Sequence, residues 1–355
     1  MKKILFWSAM LFGTLTFTAC SNDDNNPTPE TKTDVNGCYI INTGNWGGND
    51  ASIQFYSFDN NLVTPGDSEA NIFATSNNAL LGDLAQDLLW TKGKLFVSVS
   101  GSQKLEILDE NGKRQQEPYL YSQEGASPRM MTTDGTNVFV TNYDGNVYVY
   151  NATTANFEGK IPVGVRPEGI SYCNGYLVVN NSGELYSYNG TLSIVELSNG
   201  NTKTIPMTNP YTASVVCNDE VYIIDSGNYY DIPSNVYRVS PEEGKATSLG
   251  FSASAIAAYE NILYYVDNVW SYDINDYVTS PLYAYDVVTG ERNEILSEAT
   301  MKNINSLSVN PENGDIYVGY ATYGVLGYMS VFTADGTQKG FFGVGHYTTG
   351  ARFNK

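Results

Sequence analysis

The side chains that could carry out chemistry in this chain are few, and histidine is the scarcest. His346 is the only histidine among 355 residues, so a metal centre built from several imidazoles is excluded. The sequence contains no HExxH, GxSxG or GxxxxGKS/T motif, and it lacks these signatures of metalloproteases, serine hydrolases and phosphate-binding loops. We expect His346 to act as a hydrogen-bonding residue and not as a metal ligand.

Acidic residues are plentiful, with 38 Asp and Glu. A carboxylate pair for glycoside hydrolysis depends on a separation in space, so the sequence leaves this alternative open. Asp267, Asp273, Asn275 and Asp276 could hold calcium, but they lack the ordered spacing and the glycine of a calcium loop. We favour a solvated turn for them, and we predict no metal site, no cofactor and no catalytic residue.

Aromatic side chains are the abundant candidates for binding, since the chain has 28 Tyr and 4 Trp. Tyr and Trp give large, rigid, amphipathic contact area and are favoured where a bulky ligand binds. A single Tyr can also lie in a strand for structural reasons alone. The predicted ligand-binding residues are Asn45, Trp46, Arg129, Tyr143, Arg166, Tyr186, Tyr188, Tyr211, Tyr229, Tyr230, Trp270, Tyr272, Tyr323, His346 and Tyr347.

These residues must be positioned by a repeated element. Seven copies of one phrase, a turn followed by alternating apolar residues, begin at residues 36, 92, 136, 174, 219, 261 and 314. The spacing of roughly 40 to 56 residues is typical of one four-stranded blade of a β-propeller. Sustained helical periodicity is absent after residue 20. We predict an all-β fold, a seven-bladed β-propeller with four-stranded antiparallel blades.

This fold would gather the candidate residues on one face. Loops from the second to the third strand of a blade, and segments joining one blade to the next, emerge together around the central funnel. The candidate residues lie in these two kinds of segment, and blades four, five and six have the longest loops. Most of the aromatic area is therefore predicted on one side of the funnel, and changes at the rim, such as Glu168→Ala, are expected to cost little ligand binding.

The ends of the chain are predicted to meet in blade one. Residues 344–351, VGHYTTGA, can be laid over residues 163–170, VGVRPEGI, which lead into blade four. We expect residues 348–353 to form the innermost strand of blade one. Such closure pairs two sheet edges that would otherwise be bare.

The N-terminus resembles a bacterial lipoprotein signal. Lys2 and Lys3 precede an apolar stretch that ends in Thr18, Ala19 and Cys20. We expect residues 1–19 to be a signal peptide, Cys20 to be acylated and residues 20–34 to be a disordered tether. The sequence SNDD at residues 21–24 resembles the export signal of Bacteroidetes surface lipoproteins. Residues 35–355 would then form the propeller.

The net charge of the chain argues against one class of partner. The formal net charge of −19 would repel a phosphate backbone, which argues against nucleic-acid binding.

The cysteines Cys38, Cys173 and Cys217 are odd in number and show no CxxC spacing. Cys173 and Cys217 occupy equivalent places in adjacent blades, too far apart for a disulfide. We expect three buried thiols.

Two segments carry a resemblance to known proteins. IPVGVRPEGISYCNGYLVVNN resembles the repeat of YncE-like seven-bladed propellers, and GCYIINTGNWGGNDASIQFYSFD resembles the first blade of DUF5074-type lipoproteins of Bacteroidetes. The resemblance covers residues 36–353. Such lipoproteins include the BtuG cobalamin-capture family, whose members bind cobalamin at the cell surface and deliver it to a TonB-dependent outer-membrane transporter.

The resemblance implies a non-enzymatic lipoprotein of the outer membrane, exposed at the cell surface, that captures cobalamin on the loop-rich face. Three alternatives remain. A glycan-binding lipoprotein would stack Trp46 and Trp270 on sugar rings. A propeller lyase or hydrolase would need a carboxylate or His346 beside a perturbed acid in the funnel. A structural ring would bind only other proteins.

Overall fold

A computed structural model describes residues 36–228, 230–271, 276–279, 281–297, 304–322 and 324–353. The predicted signal peptide, Cys20 and tether lie outside the described residues. Residues 35–355 form one compact unit. No helix in the described part of the chain is long and apolar enough to cross a membrane.

The described strands form seven four-stranded antiparallel sheets, which confirms the predicted β-propeller. The innermost strands of successive blades contact one another around the axis. From the axis outwards, blades one to four contain Thr348–Phe353, Gly37–Asn42, Ser52–Ser57 and Leu62–Val63; Ala85–Thr91, Lys94–Val99, Lys104–Leu108 and Tyr119–Leu120; Pro128–Thr133, Asn137–Asn142, Asn146–Asn151 and Phe157–Pro162; Pro167–Cys173, Tyr176–Asn181, Thr191–Glu196 and Thr202–Pro206. Blades five to seven contain Val215–Cys217, Glu220–Asp225, Asn235–Ser240 and Lys245–Ser248; Ala255–Tyr259, Ile262–Val266, Leu282–Asp286 and Arg292–Leu296; Ile304–Val309, Ile316–Tyr320, Tyr328–Phe332 and Gln338–Gly343.

The repeated phrase forms the second strand of each blade. Successive side chains of this strand point to opposite faces of the sheet, and each face is covered by a neighbouring blade. In Gly37–Asn42 every residue is accordingly buried. The core therefore lies between the blades, and one cluster joins Tyr39 and Ile41 of blade one to Leu88 and Val97 of blade two.

Residues at the C-terminal end close the ring as predicted. Thr348–Phe353 pairs antiparallel with Gly37–Asn42, with Cys38 opposite Phe353 and Ile40 opposite Ala351. Gly345 N–H, just before this strand, donates to Gln54 of blade one at 3.1 Å. Blade one is thus built from both ends of the described chain.

Two elements interrupt the regular pattern. A helix, Ile72–Asn77, lies between blades one and two, capped by Asn71, whose side chain accepts from Phe73 N–H and Ala74 N–H. It is too short to show helical periodicity in the sequence. The second-to-third strand loop of blade six contains a hairpin, Asn268–Ser271 paired with Asp276–Thr279.

Three thiols are free and buried, as expected. Cys173 Sγ donates to the carbonyl of Asp219 at 3.2 Å, and Cys217 Sγ donates to the carbonyl of Glu260 at 3.2 Å. Each thiol therefore makes the same contact with the next blade. Burial raises the pKa of Cys217 to about 11.

Candidate functional site

One face of the propeller carries the loops that join second to third strands, together with the segments that join successive blades. We call it the loop face: in the described part of the chain it comprises residues 43–51, 78–84, 100–103, 121–127, 143–145, 163–166, 182–190, 207–214, 226–228, 230–234, 249–254, 267–271, 276–279, 281, 297, 321–322, 324–327 and 344–347. Backbone hydrogen bonds tie the two kinds of segment together in the described part of the chain. Tyr143 N–H donates to Ser127 O, and Ser226 N–H donates to Asn209 O.

A recurring polar residue at the end of the second strand holds the inter-blade segments in place. Asn142, Asn181 and Asp225 each end the second strand of a blade, and each side chain accepts from backbone N–H groups of the preceding inter-blade segment. Asp225 accepts from Thr208 N–H at 2.8 Å and from Asn209 N–H at 2.6 Å. This role was not predicted from the sequence, although the recurring Asn or Asp at the end of the repeated phrase was its signal.

A second recurring position has a left-handed backbone. Leu84, Arg166 and Tyr347 have φ of 56°, 53° and 53°, each immediately before an innermost strand. Their carbonyls accept from Ser100, Ser182 and Thr43 N–H, respectively, at 2.8 to 3.0 Å. Left-handed backbone is costly for a residue with a Cβ, and Arg166 also precedes a proline, which disfavours it further. The turn needs this backbone conformation, whereas the side chain at this position varies.

Aromatic side chains project from the loop face into solvent. Trp46, Tyr186 and Tyr230 are 84%, 88% and 86% exposed. Tyr188 meets Tyr230 edge to face, with ring centroids 6.4 Å apart, so the loops of blades four and five touch. Further exposed apolar side chains on this face are Leu80, Val165, Leu185, Tyr211, Ile232, Val278, Val325 and Leu326.

Polar atoms lie beside Trp46. Asn45 donates from its backbone N–H and from Nδ2 to the Asp50 carboxylate at 2.7 and 2.8 Å. His346 Nε2 lies 3.9 Å from the same carboxylate. Asn45 Oδ1 and His346 Nδ1 are buried atoms without a hydrogen-bond partner in the described residues. Asn45, which precedes Trp46 in the sequence, and His346 therefore lie on either side of Asp50 on the loop face.

A second group lies between blades three and four. Arg129 Nε donates to Glu168 Oε2 at 2.7 Å, and the Tyr143 hydroxyl donates to Glu168 Oε1. The guanidinium carbons of Arg129 and Arg166 lie 4.8 and 4.3 Å from the centroid of the Tyr143 ring. Thr141 Oγ1 donates to the Glu168 carbonyl at 2.6 Å, which fixes this backbone between the two blades. We call Arg129, Tyr143, Arg166 and Glu168 the arginine–tyrosine cluster.

Burial and charge act in opposite directions within this cluster. Burial raises the pKa of the Glu168 carboxyl, while Arg129, Tyr143 and Arg166 partly offset the rise. Burial disfavours the Arg129 cation, yet Glu168 and Tyr143 raise the pKa of Arg129 overall. The raised pKa of Glu168, taken alone, favours a neutral carboxylic acid. The raised pKa of Arg129 instead favours a guanidinium cation beside a carboxylate. We favour the charged pair, because the direct contact at 2.7 Å compensates both groups.

Tyr143 is a weaker acid than usual in this setting. Burial raises its pKa to about 12, and the nearby Glu168 carboxylate acts in the same direction. Tyr143 therefore stays protonated at neutral pH and keeps donating its hydroxyl proton to Glu168.

The position of Glu168 corrects one interpretation of the sequence. From the segment VGVRPEGI alone, Glu168 is predicted to be a solvated residue of the rim. Its replacement by alanine is then predicted to cost little ligand binding. In the structure Glu168 is only 4% exposed and is the common partner of two predicted ligand-binding residues. Its removal would leave the buried Arg129 without its counter-ion.

Four of the predicted aromatic residues cannot be placed by their side chains. Tyr229, Tyr272 and Tyr323 lie outside the described residues. Trp270 belongs to the hairpin strand Asn268–Ser271, opposite Tyr277, and only its backbone is described. Tyr211 and Tyr347 both lie on the loop face, and the Tyr347 carbonyl accepts from Thr43 N–H at 2.9 Å.

Charges along the axis are nearly balanced. The seven innermost strands, all described, carry Asp87, Arg129, Glu168 and Arg352 as their charged residues. Arg352 pairs with Asp87 at 2.8 Å, and Arg129 pairs with Glu168 at 2.7 Å. Both axial carboxylates are thus engaged by guanidinium groups.

Across the described residues, no group of three or more His, Cys, Asp or Glu side chains is arranged to hold a metal ion.

A cleft of about 500 Å³ lies away from this face, at the outer edge between blades two and three. Its lining includes Tyr119, Tyr150 and Phe157. The outer strand of blade two, Tyr119–Leu120, has only two residues and leaves this edge incompletely covered. Among the predicted binding residues that the structure describes, none lines the cleft.

No family model matches the chain, and no curated protein matches it in sequence. Solved structures resemble it in fold. Hydrazine synthase of Kuenenia stuttgartiensis gives a TM-score of 0.56 at 13% identity, covering 70% of this chain and 76% of that chain. A streptogramin B lyase gives 0.54 at 13% identity, covering 72% and 81%. The WD40 domain of Neurospora crassa Pan2 gives 0.53 at 9% identity, covering 70% and 75%. At these identities the likeness shows the β-propeller fold alone.

Proposed function

We propose that this β-propeller captures a bulky small molecule on its loop face, and that the molecule is a corrinoid such as cobalamin. The protein would act without catalysis, as a lipid-anchored component of the outer membrane exposed at the cell surface. It would deliver its ligand to a TonB-dependent outer-membrane transporter. The resemblance of residues 36–353 to YncE-like propellers and DUF5074-type lipoproteins, which include the cobalamin-capture family, motivates the choice of ligand and partner.

The observation that carries the proposal is the exposure of Trp46, Tyr186 and Tyr230 on one face. Fully burying a large apolar side chain contributes on the order of 2 kcal/mol, so leaving three in water forgoes a substantial stabilisation. Contiguous exposed apolar patches mark binding surfaces, and Tyr230 meets Tyr188, two residues from Tyr186, across two blades. Tyr186 and Tyr188 also have left-handed backbones, with φ of 61° and 49°, which is strained for bulky residues.

The chemistry of this face suits a corrinoid. A corrin ring offers wide apolar faces surrounded by amide groups. The exposed aromatic rings would pack on the faces, and polar atoms beside them would bind the amides. Asn45 Oδ1 and His346 Nδ1 are buried and have no partner among the described residues, so rotation of these two side chains would bring both atoms to the ligand.

An enzyme of the lyase or hydrolase class is the alternative from another class. Glu168, with its raised pKa, is the acid that such a mechanism would use. However, Arg129 and Tyr143 occupy both of its oxygens, and its side chain is almost fully buried. This engagement favours a binding role for the cluster over proton transfer.

Titration calorimetry tests the proposal and separates it from glycan capture. The ring, residues 35–355, would be titrated with cyanocobalamin and, separately, with a panel of oligosaccharides. We expect saturable heat with cyanocobalamin at micromolar protein. Heat with an oligosaccharide and none with cyanocobalamin would contradict the corrinoid assignment and favour a glycan-binding lipoprotein. Conversion of either ligand during the titration, followed by chromatography, would reveal an enzyme.

A further inference from the structure

Arg166 is a charged residue of the loop face that lies immediately before the innermost strand of blade four. The two carboxylates of the innermost strands are already paired with Arg352 and Arg129. In the described part of the chain, no carboxylate lies within ion-pairing distance of Arg166. Its guanidinium packs on the Tyr143 ring, 4.3 Å from the centroid. The arginine–tyrosine cluster therefore has two guanidinium groups and one carboxylate, an excess of one positive charge.

This excess contrasts with the rest of the molecule. The formal net charge of the chain is −19, and only six of its 355 residues are arginines. Three of the six, Arg129, Arg166 and Arg352, lie on or next to the innermost strands. A guanidinium held on an aromatic ring and partly buried keeps its N–H donors in a fixed plane.

The backbone does not account for an arginine at this position. Leu84 and Tyr347 take the same left-handed turn in other blades, and at all three positions the hydrogen bond of the turn is made by the carbonyl. Glycine would take this conformation without strain. Arginine therefore occupies this position despite a backbone cost, which points to a use for its side chain.

We propose that Arg166, held on Tyr143 and supported by the Arg129–Glu168 pair, binds an oxyanionic group of the captured ligand. The group would be a phosphate or a carboxylate, since both accept two parallel hydrogen bonds from one guanidinium. The inference rests on the proposed ligand-capture function, because Arg166 lies on the same loop face as the exposed aromatic residues. It adds that the ligand is anionic at the end that reaches blade four.

Binding of small oxyanions tests this subsite without the complete ligand. The ring, residues 35–355, would be titrated by calorimetry at low ionic strength with inorganic phosphate and, separately, with acetate. We expect at least one anion to bind saturably, with an affinity that falls as salt is added. The anion that binds more tightly would identify the group as phosphate or carboxylate.

Three variants locate the binding. Arg166→Gln removes the charge, and Arg166→Gly removes the side chain while suiting the left-handed backbone. Each should weaken oxyanion binding by about tenfold or more, the effect of losing a hydrogen bond between charged partners. Arg238→Gln removes the same charge from an exposed residue of blade five and should leave binding unchanged. Urea unfolding of each variant would verify that the ring is intact.

The same samples distinguish failure of this inference from failure of the proposed function. Absence of saturable binding of both anions, or wild-type affinity in Arg166→Gly, would overturn the oxyanion subsite. Failure of cyanocobalamin to bind while phosphate or acetate binds through Arg166 would overturn the corrinoid assignment and leave the subsite in place.

Discussion

At the scale of single residues, the left-handed positions separate what the backbone needs from what the side chain does. Arg166 has φ of 53°, whereas the neighbouring Val165 has no such strain. We predict that Arg166→Gly is more stable than Arg166→Ala by about 1 kcal/mol, because only glycine adopts this backbone freely. Urea unfolding of both variants would measure the difference in the free energy of unfolding.

Val165 provides the matched control for this prediction. At its ordinary backbone conformation, Val165→Gly should be less stable than Val165→Ala by about 0.5 to 1 kcal/mol. The glycine variant is thus expected to be the more stable of the two at position 166 and the less stable of the two at position 165. The same order at both positions would show that the turn does not impose the left-handed conformation.

The buried thiols provide a second prediction at this scale. Burial raises the pKa of Cys217 from 9.0 to about 11, and it also raises the pKa of Cys38 and Cys173. A rise of two units lowers the thiolate fraction at pH 8 by about 100-fold, and thiolate is the reactive form. Iodoacetamide should therefore label Cys217 at least about 100-fold more slowly in the folded ring than in urea. Equal rates, read by mass spectrometry, would contradict its burial.

At the scale of elements, the innermost strand of blade one determines whether the ring closes. Removal of residues 344–355 would expose the edge of Gly37–Asn42 and leave Asp87 without Arg352. We predict a large loss of stability or insolubility, because the edge of Gly37–Asn42 becomes bare and the buried Asp87 loses its counter-ion. The matched control removes only residues 354–355, beyond the strand, and should melt like the full ring. A truncated ring with an unchanged melting temperature would refute the closure.

The strands could be predicted well because their signal is local. Alternation of apolar residues and the turn before them recur in every blade, and the match of residues 344–351 to residues 163–170 identified the closing strand. The helix Ile72–Asn77 escaped prediction because six residues are too few to show a helical period. The hairpin in blade six, Asn268–Ser271 with Asp276–Thr279, escaped because it lies within what looked like one long loop.

The candidate site could be predicted only as a set of segments. The sequence indicated that Trp46 and His346 share a face, since both lie in segments of known position in a blade. It could not indicate that Glu168 is buried between Arg129 and Tyr143, because that contact joins two blades. Nor did it reveal the role of Asn142, Asn181 and Asp225, whose partners are backbone N–H groups of other segments.

At the scale of the whole molecule, the proposed location depends on the N-terminal segment. We predict that Cys20→Ala releases the protein from the membrane fraction, because acylation of this cysteine would be its anchor. Replacement of Asp23 and Asp24 should leave the protein anchored but protected from protease added to intact cells. Fractionation and surface proteolysis would measure both effects. Equal protease sensitivity of the two forms would rule out the proposed export signal.

Capture of a ligand by the loop face is the central claim, and removal of its exposed aromatic residues tests it most directly. The ring with Trp46, Tyr186 and Tyr230 all replaced by serine would be titrated with cyanocobalamin beside the unaltered ring. The control replaces Leu62, Leu120 and Phe341, which are comparably exposed but lie on outer strands.

Aromatic anchors of a binding site each contribute about 2 kcal/mol or more. We therefore predict at least about a 100-fold weaker Kd for the aromatic variant and an unchanged Kd for the control, with both variants folded. Cyanocobalamin binding of unaltered strength in the aromatic variant would contradict capture by the loop face.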